Sequence, residues 1–133
     1  METRVVLDGP AATRRYLRQA IGPVDRRGYG LRLVFCDVDA AVVCHVHVED
    51  LPAAVPDQEC LRYVWPFVDA ARQAPGTGLV LAVVRPGPTA ITEQDRRWYS
   101  AAHRACADGS VRVLGAYVVG RRSEREIRLD DAL

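Results

Sequence analysis

The sequence predicts an α/β (α+β) domain, a mixed β-sheet flanked by three helices. Three observations predict it. Strand-like and helix-like periodicities alternate in the order β-α-β-β-α-β-α-β-β. Two neighbouring Val-rich segments, 31–39 and 42–49, read as a β-hairpin. One continuous apolar run, 79–84, has the character of a strand covered on both faces. At 133 residues and 49% hydrophobic, the chain has the size of a single domain, 1–133, with no room for a second core.

Local signals justify each element in turn. Residues 3–7 form a short β-like run. Asp8-Gly9-Pro10 then opens a helix, with Pro10 in the first turn, where a missing N–H costs nothing. Tyr16, Leu17, Ala20 and Ile21 are its apolar stripe, and Gly22-Pro23 stops it. Residues 24–30 read as a charged loop that leads into the hairpin. A two-residue turn at Ala40-Ala41 would set Asp39 against Val42, Cys36 against His45 and Val34 against His47, although Ala-Ala is poor chemistry for a primed turn. After a Pro- and Ala-containing loop, Asp57 is the expected cap of a second helix with the stripe Leu61, Val64, Val68 and Ala71. Pro66 inside it is expected to kink or split it.

Ala74-Pro75-Gly76-Thr77-Gly78 is a loop, and the strand 79–84 ends in Arg85-Pro86-Gly87-Pro88. Thr92 caps the third helix, and Asp95 at its third position approximates a capping box. Trp98, Ala101, Ala102 and Ala105 form the core stripe, and Gly109 can end the helix. Residues 111–119 read as a further strand and 126–129 as a short last one, before a frayed Asp130-Asp131 tail.

Composition narrows the function classes. All 18 basic residues are arginine, against 17 acidic ones, so the formal charge is only +1 and no overall field draws the protein to nucleic acid or an anionic membrane. No apolar run reaches the ~18 residues of a membrane span, and the N-terminus lacks a signal-peptide core, so a bacterial-type cytoplasm is the expected location. The four cysteines show no Cys-x-x-Cys spacing and read as reduced, buried thiols. No Gly-x-Gly-x-x-Gly or phosphate-cradling Gly-Lys-Ser/Thr run occurs, and Ser100, Ser110 and Ser123 lie in no nucleophile elbow. Trp65, Trp98 and His103 lie on predicted helices, where packing accounts for them.

The stretch 79–120 carries the one recognisable pattern. A buried strand ends in Val83-Val84-Arg85-Pro86-Gly87, a loop leads to Thr92-Glu93-Gln94-Asp95 at a helix start, and a further strand follows. This resembles JAB/MPN metalloprotease-like domains, the RadC-like branch included, where such a strand ends in His-x-His-Pro-x-Gly and the helix starts with Ser-x-x-Asp. The resemblance covers about 31–129 in element order, an order that is also deaminase-like, and only a handful of residues in motif. It implies a zinc ion held by two histidines and the aspartate. Here Val83 and Arg85 occupy the histidine positions, and a permanently protonated guanidinium stands where a cation should sit. The resemblance therefore implies a vestigial site with no catalytic residue and no metal. Arg85, Pro86, Gly87, Thr92 and Asp95 remain as a candidate binding site, with Arg85 and Asp95 expected to pair.

A second constellation competes. Cys44-His45-Val46-His47-Val48-Glu49 places His45, His47 and Glu49 on one strand face, and the register above adds Cys36, giving Cys36, His45 and His47 as an alternative zinc set. A structural strand face, with Glu49 paired to Arg32, explains the same residues. The expected function is a non-catalytic protein-interaction or scaffold domain derived from a JAB/MPN-like hydrolase fold. It needs no cofactor, and its partner is another protein or a second copy in a homodimer, because small mixed sheets expose edges. A zinc-dependent hydrolase or deaminase-like enzyme built on Cys36, His45 and His47 is the alternative. Nucleic-acid binding through Arg96, Arg97 and Arg104 is a third.

Overall fold

The computed structural model describes residues 4–132. Its elements are α1 (Pro10–Ala20), a 3-10 turn (Asp25–Arg27), β1 (Gly30–Cys36), β2 (Val42–Val48), α2 (Asp57–Ala71), β3 (Gly78–Val84), α3 (Glu93–Ala105), β4 (Arg112–Val119), β5 (Glu124–Glu126) and α4 (Leu129–Ala132). The strands form one mixed sheet in the order β2-β1-β3-β4-β5. Only the β3–β4 pair is parallel, so both of these strands release the chain at the same edge.

Period-two alternation sorts the sheet's side chains onto two faces. Leu31, Leu33, Phe35, Leu79, Leu81, Val83, Ala116 and Val118 pack with Cys60, Val64 and Val68 of α2 and Trp98, Ala101, Ala102 and Ala105 of α3. Val34, Cys36, Val80, Ala82, Val84, Tyr117 and Val119 meet Leu17 of α1 and Ile21 on the other side. Every residue of β3 is buried, which is why its sequence does not alternate. The expected sheet flanked by three helices is therefore the fold, with the short α4 as an addition.

Several local expectations are corrected. The run 3–7 yields a single antiparallel bridge, Val6 to Ala41, and Thr3 lies outside the described residues. The hairpin register differs by two: Val34 faces His45, Arg32 faces His47 and Cys36 faces Val42, with Val43 left over at a bulge. The cause is Asp37. Its Oδ1 accepts from the N–H groups of Asp39 and Ala41, building a longer loop that holds Ala40 at φ 62° in place of an Ala-Ala turn. The pairing of Glu49 with Arg32 is not formed either, because Arg32 reaches Asp25 at 3.2 Å instead.

Pro56, not Asp57, is the N-cap of α2, and Asp57 and Glu59 supply the negative charge its first turn favours. Pro66 lies on the exposed side of α2, where water can serve the carbonyl it deprives of a partner. The helix runs through it unbroken. The last strand is Glu124–Glu126 rather than 126–129. The tail is not frayed: Asp131 accepts from Arg128 N–H through its side chain and from Arg96 Nε through its carbonyl, which closes α4 against α3. No helix among the described residues is long and apolar enough to cross a membrane.

Candidate functional site

The site singled out by sequence lies where β3 ends and α3 begins. Thr92 caps α3 as expected. Its Oγ1 accepts from Asp95 N–H at 3.2 Å, and Asp95 Oδ2 accepts from Thr92 N–H at 2.9 Å. Arg85 turns into the loop that follows β3. Its Nε donates to Asp95 Oδ1 at 3.0 Å and its Nη2 to Asp95 Oδ2 at 2.8 Å, a two-point ion pair. Nη1 reaches the Pro88 carbonyl at 2.7 Å, and Nη2 also reaches that of Ala90 at 2.8 Å. Four of the five guanidinium protons are thus spent on one turn of chain, which Gly87 enters at φ 92°.

Asp95 has no solvent exposure, so its carboxylate cannot reach a molecule outside. A cavity of about 290 Å³ lies in front of the pair, lined among others by Pro86, Thr92, Gln94 and Trp98. Gln94, which the sequence did not single out, closes its far wall. The side-chain amide accepts from Val55 N–H at 2.8 Å and donates to the Val55 carbonyl at 3.0 Å, joining the start of α3 to the entry of α2. The same Nε2 lies 3.5 Å from Cys60 Sγ, whose thiol burial pushes up to about 11. Arg85, Asp95, Thr92 and Gln94 are thus each occupied with their neighbours.

The alternative zinc set is not assembled. Arg32, nearly fully buried on β1, lies against both imidazoles, with Nη1 3.4 Å from His45 Nε2 and 3.2 Å from His47 Nε2. A guanidinium can only donate, so both Nε2 atoms are acceptors. A neutral His45 then carries its proton on Nδ1 and donates it to Tyr16 Oη at 2.7 Å. Burial first, then Arg32 and His47, lower the His45 pKa to about 4. Cys36 faces Val42 rather than His45, and burial raises its thiol to about 11, against the thiolate a metal needs. Among the described residues, no three His, Cys, Asp or Glu side chains gather in a way that could hold a metal ion.

Of the three α3 arginines of the nucleic-acid expectation, Arg104 has no side-chain partner among the described residues, while the other two are engaged. Arg96 donates to the Asp131 carbonyl, and Arg97 lies 3.6 Å from Asp57. Trp98 is core, edge-on to Tyr63, and Trp65 lies under the Arg72 guanidinium.

One surface remains apolar. A groove of about 480 Å³ runs between β2 and the end of α2, lined by Phe35, Val43, Cys44, Val46, Phe67 and Ala71, among others. Val43, set apart by the bulge, is 65% exposed. β2 is one of the sheet's two edge strands and carries no charged residue from Val42 to Val48. Comparison with protein-family models and with curated proteins finds none that matches this chain.

Proposed function

We propose that the chain is a non-catalytic protein-interaction module that pairs with a second copy of itself along β2. The single observation that carries this reading is the outer edge of β2 beyond Val42, which lies open once residues 5–7 have bridged the start of the strand. Natural edge strands are blunted by lysine, proline or inward-pointing charge. β2 has none of these, and an apolar groove with a largely exposed valine runs beside it. An uncharged strand can lie antiparallel to its own copy without like charges meeting, and Val43 and Val46 of each copy then cover the groove of the other. The same proposal treats the β3–α3 junction as a hydrolase-like site, of the JAB/MPN kind, whose metal ligands have given way to a structural ion pair. Support for this part lies in Arg85, engaged at every nitrogen, and the unexposed Asp95.

Sedimentation velocity across the micromolar range tests the pairing. The unaltered chain is expected to sediment as a dimer. Val43→Glu, which places two carboxylates against an apolar groove, is expected to give a folded monomer with an unchanged circular dichroism spectrum. A monomer throughout that range for the unaltered chain rejects the self-pairing.

A further inference from the structure

The parallel ends of β3 and β4 open onto a second cavity. It measures about 690 Å³ and is lined by Pro23, Arg26, Arg27, Pro86, Gly87, Arg121 and Arg122. Four of these seven residues are arginines, none is acidic, and the whole chain carries a charge of only +1, so the charge is local. Among the described residues, Arg27, Arg121 and Arg122 donate no side-chain hydrogen bond and join no ion pair, whereas most other arginines have a partner.

Arg26 makes the site a built one. Only 7% of the residue is exposed. Nε donates to the Ile21 carbonyl at 2.9 Å, and Nη1 donates to the Gly120 carbonyl at 3.2 Å and to Glu124 Oε2 at 2.8 Å. Nη2 has no partner among the described residues, yet no buried side-chain nitrogen or oxygen is left unbonded, so this atom is not sealed off, and the residue lines the cavity. The backbone around it is fixed. Arg121 N–H donates to the Gly87 carbonyl and Gly120 N–H to the Ser123 carbonyl, each at 2.9 Å. A side chain at Gly120 would meet the Gly87 oxygen at 2.7 Å, so glycine is what allows the two strand ends to close up here.

We propose that this cavity binds a small diphosphate-bearing molecule, with Arg27, Arg121 and Arg122 as the charged clamp and Arg26 Nη2 as a fixed donor. Three free guanidiniums match the roughly threefold negative charge of a diphosphate better than that of a single phosphate. The volume lies in the range of small-ligand sites. The lining holds no aromatic ring, so the base-stacking platform that a single-stranded nucleic acid uses is missing. The site shares no lining residue with β2 or its groove, so it does not depend on self-pairing.

Isothermal titration of the full chain with inorganic phosphate, pyrophosphate and adenosine diphosphate tests this. Pyrophosphate and the nucleotide are expected to bind at one site per chain, more tightly than phosphate, and more weakly as salt rises. The Arg121→Ala/Arg122→Ala variant, which alters exposed side chains only, is expected to melt like the parent and to lose about tenfold or more in affinity. No binding of either diphosphate at millimolar concentration overturns the proposal, and so does unchanged affinity in the variant. Binding of a single-stranded oligonucleotide without pyrophosphate binding overturns it in favour of a nucleic-acid surface.

Discussion

Arg85 and Arg26 make an instructive pair. Both are buried to nearly the same degree, 8% and 7% exposed, both meet a buried carboxylate, and both lie near the strand ends of β3 and β4. Yet Arg85 commits Nε, Nη1 and Nη2 to Asp95 and two loop carbonyls, while Arg26 keeps Nη2 in hand above a cavity with three free arginines. The difference teaches that burial alone does not say whether an arginine fastens the fold or receives a ligand. Donor bookkeeping says it. The first arginine has every nitrogen engaged; the second is anchored and keeps one free.

The contrast can be broken or sharpened in a descending series of effects. Asp95→Ala should be the most damaging single change, because it strands a buried guanidinium and removes half of the α3 capping box. A loss of about 3–5 kcal/mol is expected from urea unfolding. If Asp95→Ala proves nearly neutral, the pair does not fasten the loop and the comparison with Arg26 loses its first member. Thr92→Ala removes only the hydroxyl acceptor of that box and should cost about 1 kcal/mol in the same assay.

The last effect lies on the other face of the sheet and emerges only as pH falls. His45 ionises at about 4 in the folded chain, below its ordinary 6.5, since burial and then Arg32 oppose its charge. The unfolded chain therefore binds the proton first as pH falls. Stability linked to this ring is complete above about 6.5 and drains away toward 4. His45→Gln should flatten the slope of the urea midpoint over that interval. A slope identical to the parent's would show that the ring is not held neutral.

Much of the fold was legible because its signals are local. The unbroken apolar run of β3 announced two-sided burial, and the Thr92-x-x-Asp95 spacing announced the helix start and its capping box. The partnership of Arg85 with Asp95 could be anticipated because strand end and helix start are ten residues apart. What escaped depends on side chains acting on backbone or on residues far away in sequence. Asp37 rebuilt the hairpin loop and moved the register by two, a choice no apolar periodicity records. Gln94 meets Val55 across 39 positions, and Arg26 meets Glu124 across 98. Arg27 and the Arg121-Arg122 pair lie more than ninety positions apart in sequence, and only the fold brings them to one cavity.

The sorting of the four thiols has a consequence of its own. Cys36, Cys60 and Cys106 are sequestered in the two cores, and burial holds each near 11, in the poorly reactive protonated form. Cys44 alone is exposed, and it lies on β2. Thiol-directed reagents therefore have one exposed address among the four cysteines, and any adduct formed there adds bulk to the edge strand β2.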